Sequence, residues 1–345
     1  MSASAASSAR PATEPAGTVP AWVRYTKDLT DEQLERRWRK APQTLGSMSI
    51  GFPFEGRVIN AVTFPKGEAW KVISPAHCWG TQETVDFVIT AAKAVAREFP
   101  GTDPLRVNAV GAKDGGWVRP HESHQSGRDV DLGFYDKPGM RFGPGWRVMD
   151  LAKNWALLKA LFTKTDVQFV LTDWRNKRKL YKYALSIGEN KSWLDSIFYP
   201  RHGRPLIKHA RGHRDHFHVR FYNARAQELG RRIEPLLAKR PDQNLAFHRV
   251  RRGDCLSRIA RRLGSTVVAI RRANHMRSNF LRLGRVLVVP LRGPCTRCPI
   301  PPEVIVPPRR LPPAVSPVAG LAPEPTSGTA APRVTAAAAR VSRDP

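Results

Sequence analysis

The sequence predicts a mixed α+β fold, with a mostly antiparallel sheet and flanking helices, followed by a small module of strand, helix, helix and strand (βααβ). Two long segments, residues 81–99 and 148–162, carry apolar side chains at helical spacing. Several short apolar segments lie around them without regular alternation of strand and helix, which is typical of an α+β domain. A pair of helical segments bounded by two strand-like segments then follows within residues 247–292.

The two long helices are predicted from their apolar stripes. Thr81 can cap the first helix, and its stripe consists of Val85, Val88, Ala92, Val95 and Phe99. The stripe of the second helix consists of Val148, Leu151, Trp155, Leu158 and Phe162. The strand-like segments around these helices are VISPA, LRVNAV, RDVDLGFY, VQFVLTD and DHFHVRFY.

Composition divides the chain into five parts. Residues 1–20 are rich in Ala, Ser and Pro, and we expect a disordered leader there. A large mixed domain is expected at residues 21–236, a polar linker at 237–246 and the compact βααβ module at 247–292. Residues 293–345 are rich in Pro, Ala and Arg, which predicts a disordered tail.

The charge balance indicates the kind of partner. Lys and Arg outnumber Asp and Glu by 57 to 29, which gives a formal net charge of +28. Such a balance favours polyanions, such as nucleic acid, an anionic membrane or an anionic cell wall. The sequence has no apolar run of about 18 residues, so no transmembrane segment is predicted. No signal peptide is visible either, because the N-terminal segment lacks an apolar core.

Four cysteines are present. Cys295 and Cys298 have the CxxC spacing of a zinc ribbon, but such a ribbon needs a second pair nearby. A disulfide among Cys255, Cys295 and Cys298 is expected if the compartment is oxidising, and its connectivity stays open. Cys78 is expected to be a buried small apolar residue or half of an unassigned bridge.

The segment HESHQSGRDVDLGFY, residues 121–135, concentrates groups that bind metals. If residues 128–135 form a strand, Asp129 and Asp131 share one face, and the apolar side chains between them share the other. His124 precedes Asp131 across the turn-forming residues Gln-Ser-Gly. A loop of this size can bring an imidazole and a carboxylate to the same ion.

A second segment, HRDHFHVRF, supplies the remaining groups. Read as a strand, it places His216, His218 and Arg220 on one face. A catalytic zinc typically has three protein ligands and keeps one position for water. His124, Asp131 and His218 would supply those ligands, and His216 would lie close enough to handle protons. The sequence therefore predicts a zinc (Zn²⁺) site.

Both segments together, SHQSGRDVD and HRDHFHVR, resemble the penicillin-insensitive murein endopeptidases, part of a wider group of lysostaphin, D-Ala-D-Ala peptidase and hedgehog-like zinc proteins. The resemblance covers roughly residues 45–225 and implies the corresponding fold. It implies that the metal ligands are His124, Asp131 and His218, with His121 as a further ligand. It also implies that His216 is the general base and that His213 takes part in catalysis.

Other residues are expected to have less central roles. Asp129 or Asp215 can orient an imidazole by accepting its other N–H. Asp150 is the only candidate for a peripheral second metal, but a first-turn carboxylate of its helix is the simpler interpretation. Trp146, Trp155 and Trp174 are expected in the core rather than on the surface as platforms for sugars.

The βααβ module resembles a LysM domain. The family wording V-x-x-G-D-T-L-x-x-I-A appears from Val250 to Ala260, with Cys255 in place of the usual Thr. Gly264 is expected to end the first helix of the module, and Ser265 or Thr266 to cap the second. The resemblance implies binding to polymers of N-acetylglucosamine, such as peptidoglycan.

Together, the resemblances imply a zinc endopeptidase that cuts the D-alanyl–meso-diaminopimelyl cross-link of peptidoglycan, in the periplasm or the cell wall. Three alternatives stay open: a D,D-carboxypeptidase, a non-enzymatic wall binder, and a nucleic-acid-binding protein. The last rests on the Arg-rich segments LSRIARRL and AIRRAN, which could mimic a helix-turn-helix, and is the less favoured. The sequence leaves the oligomeric state open.

Overall fold

The structure is a computed structural model that describes residues 25–140, 144–295 and 300–314. Its α-helices are α1 (Asp31–Lys40), α2 (Gln82–Glu98), α3 (Gly145–Val148), α4 (Leu151–Lys164), α5 (Trp174–Ser186), α6 (Lys191–Phe198), α7 (Ala224–Ile233), α8 (Leu256–Arg262) and α9 (Val267–Ala273). Its strands are β1 (Met48–Phe52), β2 (Glu55–Ile59), β3 (Val62–Thr63), β4 (Trp70–Val72), β5 (Trp79–Gly80), β6 (Leu105–Ala109), β7 (Asp129–Gly133), β8 (Val167–Thr172), β9 (Ile207–His209), β10 (His216–Phe221), β11 (Leu245–Arg249) and β12 (Val286–Pro290). The predicted α+β class is confirmed.

A six-stranded sheet organises the large domain, in the order β4-β6-β7-β10-β8-β9. Its four central strands pair antiparallel, whereas the short edge strands β4 and β9 pair parallel to their neighbours. The central pair is β7 and β10, whose register places Asp131 opposite His218 and Asp129 opposite Arg220. Residues directly opposite each other share a face of the sheet.

The apolar core covers the other face of this sheet. Val130 and Leu132 of β7, and Phe217 and Val219 of β10, are fully buried in it. Helices α2 and α4 pack against each other in the same core. Strands β7 and β10 are thus held by apolar packing on one face, which leaves their polar side chains together on the other.

The two long predicted helices are confirmed, with adjusted boundaries. Thr81 caps α2 by accepting a hydrogen bond from the backbone N–H of Thr84. Asp150 caps α4, so Val148 falls in the preceding short helix α3. The predicted strand VISPA is largely wrong, because β4 ends at Val72 and a 3-10 helix begins at Pro75.

A second apolar cluster holds the N-terminal part of the domain together. It joins α1, the hairpin of β1 and β2, and α7 through buried side chains such as Leu34, Trp38 and Ile233. Helix α7 packs so closely on β1 that a methyl group at Gly230 would overlap the carbonyl oxygen of Ser49. Helices α1, α5, α6 and α7 and this hairpin were not predicted from the sequence.

The βααβ module has the predicted order β11, α8, α9, β12, and its two strands pair antiparallel. Gly264 follows α8 with a φ of +64°, a conformation that glycine adopts without strain. Thr266 caps α9 by accepting from the N–H of Ala269. The predicted linker at 237–246 contains the end of a 3-10 helix, Glu234–Lys239, and the start of β11.

Part of the predicted disordered tail is ordered. Residues 300–311, here called the C-terminal strap, contain no helix or strand, contact the large domain and belong to the same compact unit. The indole N–H of Trp193 donates to the carbonyl of Arg310 at 2.8 Å, and the N–H of Val306 donates to the hydroxyl of Tyr25 at 3.1 Å. The predicted leader and the rest of the tail, apart from 293–295 and 312–314, lie outside the described residues.

The cysteines divide into two classes. Cys78 is a buried free thiol and Cys255 an exposed free thiol, so Cys255 does not join the disulfide predicted for this region. Cys295 is disulfide-bonded, and Cys298 lies outside the described residues. Across the described ranges, no helix is long and apolar enough to cross a membrane.

Candidate metal centre

The segment before β7 brings two more imidazoles to the polar face of the sheet. His124 has a left-handed backbone, with a φ of +68°, and Gly127 follows in the same region at +72°. The left-handed conformation is uncommon for a residue with a side chain and marks a backbone held by its surroundings. Here the N–H of His124 donates to Oδ2 of Asp129 at 3.1 Å, which holds the turn in place.

The tip of the hairpin between β1 and β2 holds the same segment from the other side. The backbone N–H of Gln125 donates to the carbonyl of Pro53 at 3.0 Å, and its side-chain amide donates to the carbonyl of Phe54 at 2.8 Å. The position of His124 therefore depends on a hairpin far away in sequence.

Asp131 lies at the middle of the cluster. Its Oδ1 is 3.0 Å from Nδ1 of His218 and 3.3 Å from Nε2 of His124. Its Oδ2 is 3.3 Å from Nδ1 of His121. The ligand atoms of His121, His124 and Asp131 all lie within 4.8 Å of one another, so this group could hold a metal ion.

His124 is oriented by a backbone carbonyl. Its Nδ1 lies 3.1 Å from the carbonyl oxygen of Val110, an acceptor only, so Nδ1 carries the proton. The lone pair of Nε2 is then directed at Asp131 and at Nδ1 of His218, which is 3.1 Å away. Such a hydrogen bond to the outer nitrogen fixes the tautomer of a metal-binding histidine.

Asp129 performs a similar function for His218. Its Oδ1 lies 3.6 Å from Nε2 of His218, a buried nitrogen with no hydrogen-bond partner within the described part of the chain. Arg220 donates to both oxygens of Asp129, from Nε to Oδ1 at 2.6 Å and from Nη2 to Oδ2 at 2.9 Å. Burial raises the pKa of Asp129, but the charge of Arg220 and the nearby imidazole of His218 bring it well below its ordinary value.

The protonation of the cluster follows from the same contacts. Burial lowers the pKa of His218, but the carboxylate of Asp129 and then that of Asp131, to which Nδ1 is hydrogen-bonded, raise it to about 9. Burial, together with the neighbouring imidazole of His124, lowers the pKa of His121 to about 4. Burial raises the pKa of Asp131, yet the adjacent imidazoles hold it well below its ordinary value.

This donor set fits a divalent cation. Two buried imidazole nitrogens and a carboxylate oxygen point at one another over hydrogen-bond distances, and His218 needs a proton to satisfy the two carboxylates around it. A bound cation would take over the role of that proton. Imidazole and carboxylate ligands in a set of three are typical of catalytic zinc.

His216 and His213 lie at the open side of the cluster. His216 directs Nε2 towards Asp131, 3.8 Å from Oδ1, while its Nδ1 is 2.8 Å from Oδ1 of Asp215. The ring of His213 lies 5.0 Å from that of His216, and its Nδ1 is 2.9 Å from the carbonyl of Arg211. Burial lowers the pKa of His213, so its other nitrogen is available as an acceptor near neutral pH.

The structure gives Asp150 a different role from a second metal ligand. Its carboxylate caps α4 by accepting from the backbone N–H of Lys153 at 3.2 Å, and it also forms an ion pair with Nζ of Lys153 at 3.6 Å. Within the described residues, the group of His121, His124 and Asp131 is the one cluster of this kind, and Asp150 is not part of it.

The expectation for the tryptophans is only partly met. Trp155 is buried in the core as expected. Trp174 is 48% exposed and Trp146 is half-buried, because both lie beside the loop that precedes β10 and stack on the guanidinium of Arg175, at 5.3 and 4.7 Å.

Some contacts of the cluster had no signal in the sequence. The carbonyl of Val110, the carbonyls of Pro53 and Phe54, and the ion pair between Asp129 and Arg220 all come from segments distant in the chain. Only the alternation in HRDHFHVRF placed Arg220 on the correct face in advance.

Two known families match parts of this chain. Residues 49–142 match the family of penicillin-insensitive murein endopeptidases, and residues 248–290 match the LysM domain. Both matches point to peptidoglycan. They confirm the two resemblances predicted from the motifs and support a role in cleaving this polymer. No curated protein matches the chain.

The endopeptidase match covers one half of the cluster only. It includes His121, His124 and Asp131 but ends before the segment that carries His216 and His218. The fold itself joins this second segment to the first, through the pairing of β7 with β10.

Proposed function

We propose that this chain is a zinc metallopeptidase that hydrolyses the D-alanyl–meso-diaminopimelyl cross-links of peptidoglycan. The observation that carries the proposal is the convergence of His124, Asp131 and His218, from two distant segments, on one point. His121 adjoins this set from the solvent side as a fourth candidate ligand.

When bound, zinc lowers the pKa of water and polarises a carbonyl group. His216 is the general base of the proposed reaction: its Nε2 faces the cluster, and its Nδ1 donates to Asp215. That second hydrogen bond leaves the lone pair on Nε2, where it can accept a proton from the attacking water and pass it to the leaving amine.

His213 and Asp129 have supporting roles in this proposal. The ring of His213 lies 5.7 Å from that of His218, at the open side of the cluster, where the nitrogen that does not face Arg211 would accept a hydrogen bond from the substrate. Asp129 orients His218 from behind.

The LysM module would hold the enzyme on the glycan. Binding to the same polymer raises the local concentration of cross-links around the peptidase domain. The net charge of +28 would favour a wall with free carboxylates. We therefore place the protein in the periplasm or the cell wall.

The proposal is tested by digesting purified sacculi and measuring the muropeptides by mass spectrometry. We expect conversion of cross-linked dimers to monomers, loss of this activity in His216→Ala, and retention of about one zinc per chain in that variant. His202→Ala alters an exposed histidine that makes no side-chain hydrogen bond or ion pair with any described residue; it is the matched control and should behave as wild type.

Other outcomes would select an alternative. Release of terminal D-Ala alone would indicate a D,D-carboxypeptidase. Binding to sacculi without any cleavage would indicate a wall-binding protein, and loss of zinc in His216→Ala would make His216 a ligand instead of a base. Steeply salt-dependent DNA binding with a sequence preference would favour the nucleic-acid alternative.

A further inference from the structure

A cavity of about 220 Å³ lies where the C-terminal strap crosses the edge of the sheet. Strand β8 contributes Phe169 to its wall, and the segment leading into β9 contributes Arg204 and Lys208. The strap closes the cavity with residues 306–310, which include Arg309 and Arg310. We refer to it as the strap cavity.

The lining of the strap cavity is strongly cationic. Among its described lining residues, four are Lys or Arg and one, Asp166, is a carboxylate. Asp166 is already paired with Nε of Arg309 at 2.9 Å. The side chains of Arg204 and Lys208 have no ion pair with any described residue, so their positive charge faces the cavity uncompensated.

Lys208 is held among like charges. Its Nζ lies 4.4 Å from the ring centroid of Phe169, a contact that keeps the amine at the cavity wall. Burial and then the charges of Arg204 and Arg220 lower its pKa. Cations gathered in this way lower their free energy when an anion enters between them.

Two residues of the cavity wall, Lys208 and Phe169, lie on the same face of the sheet as the metal centre. Lys208 is in register with Leu171 of β8, and Leu171 is opposite His218 of β10. Two strand spacings therefore separate Lys208 from His218, which is roughly 10 Å. Phe169 lies between the two sites, since its ring is stacked on that of His218 at 6.4 Å.

We propose that the strap cavity binds a free carboxylate of the substrate's stem peptide while the scissile bond lies at the metal centre. The proposal rests on the proposed function and adds the group by which the substrate is recognised. A distance of roughly 10 Å is about three residues of extended peptide, so a carboxylate on the same stem can reach Lys208. The salt link of Arg309 to Asp166 removes the one acidic group that would compete with it.

The test compares two substrates and three variants. The substrates are purified cross-linked muropeptide dimers, either with free carboxylates or with the same groups amidated. Lys208→Gln and Arg204→Gln each remove one of the two cavity cations named above as having no ion pair. Lys182→Gln removes an exposed lysine elsewhere and is the matched control. We expect the cavity variants to lower kcat/KM about tenfold on the free-carboxylate dimer, mainly through KM, and to leave the amidated dimer unchanged.

Calorimetric binding of the same dimers to His216→Ala separates this proposal from the proposed function. If wild type cuts neither dimer, the proposed function fails. The carboxylate proposal then stands only if adding Lys208→Gln to the His216→Ala variant selectively weakens binding of the free-carboxylate dimer. If wild type cuts both dimers and the cavity variants lose activity equally on both, or lose none, the carboxylate proposal is overturned and the proposed function stands.

Discussion

Asp129 shows how one buried side chain organises the candidate metal centre. It accepts from the backbone of His124, faces Nε2 of His218 and binds Arg220 through both oxygens. It thereby contacts the loop at His124, the imidazole of His218 and the guanidinium of Arg220 at the same time. Because Asp129 itself is fully buried, these contacts are what keep its charge stable in the interior.

We predict that Asp129→Asn weakens zinc binding about 10- to 100-fold, because His218 loses the carboxylate that orients it. Stability should fall by about 3 kcal/mol, since Arg220 is left without its partner. Zinc affinity is measured by competition with a chelator, and stability by chemical unfolding.

Asp136→Asn is the matched control for this prediction. It breaks another ion pair between a carboxylate and an arginine, Arg106, at 3.0 Å, away from the imidazoles. It should lower stability without changing zinc affinity. Equal losses of affinity in the two variants would show that Asp129 acts through stability alone.

At this scale the sequence predicts which side chains meet, but not what orients them. His124, Asp131, His216 and His218 were predictable because strand alternation and motif spacing act over a few residues. The carbonyl of Val110, which orients His124, was not, because a backbone carbonyl has no identity in the sequence and this one comes from another loop.

Secondary structure elements show the same division between local and distant information. Helices α2 and α4 were predicted because long apolar stripes repeat over several turns. Strands β4 and β9 have three residues each, too few for a period, so their parallel pairing at the sheet edges could not be predicted. Helix α5 is strongly polar along most of its length, which hides its buried stripe.

Helix α7 supports the metal centre indirectly, because it packs on β1 of the hairpin whose tip holds Gln125. We predict that Gly230→Ala lowers the free energy of unfolding by about 1–3 kcal/mol, since its methyl group must displace the backbone at Ser49. Thermal and chemical unfolding would measure the change.

Gly293→Ala is the control for that substitution, because a methyl group there meets nothing within 4 Å. It should leave stability nearly unchanged. Equal stability of the two variants would contradict the inference that α7 packs too closely on β1 to admit a methyl group at Gly230.

For the whole molecule, the charges of the candidate metal centre link metal binding, protonation and stability. In the metal-free protein, the pKa of His218 is raised to about 9, from an ordinary value of 6.5. A raised folded-state pKa stabilises the fold fully below the unfolded value and loses this stabilisation as the pH rises through the folded value.

We therefore predict that the melting temperature of the metal-free protein falls by several degrees between about pH 6.5 and 9, as His218 loses its proton. The zinc-loaded protein should show a flatter profile, because the metal holds His218 neutral over this range. Calorimetry of both forms across this range tests the prediction, and parallel profiles would contradict it.

At the scale of the whole molecule, the strap was not predictable from composition and motifs. A Pro-rich segment of low complexity is usually disordered, and nothing in its own sequence indicates that it has a partner. Its contacts with Trp193, Tyr25 and Asp166 depend on a surface that exists only in the folded domain.

The strap also changes how the glycan-binding module is attached. The chain leaves the large domain before β11 and returns to it at residues 300–311, so the module is attached at both ends. A module that is attached at both ends stays close to the large domain. Under the proposed function, each binding event would expose only the nearest cross-links to hydrolysis, and the wall would be thinned in small steps around the bound module.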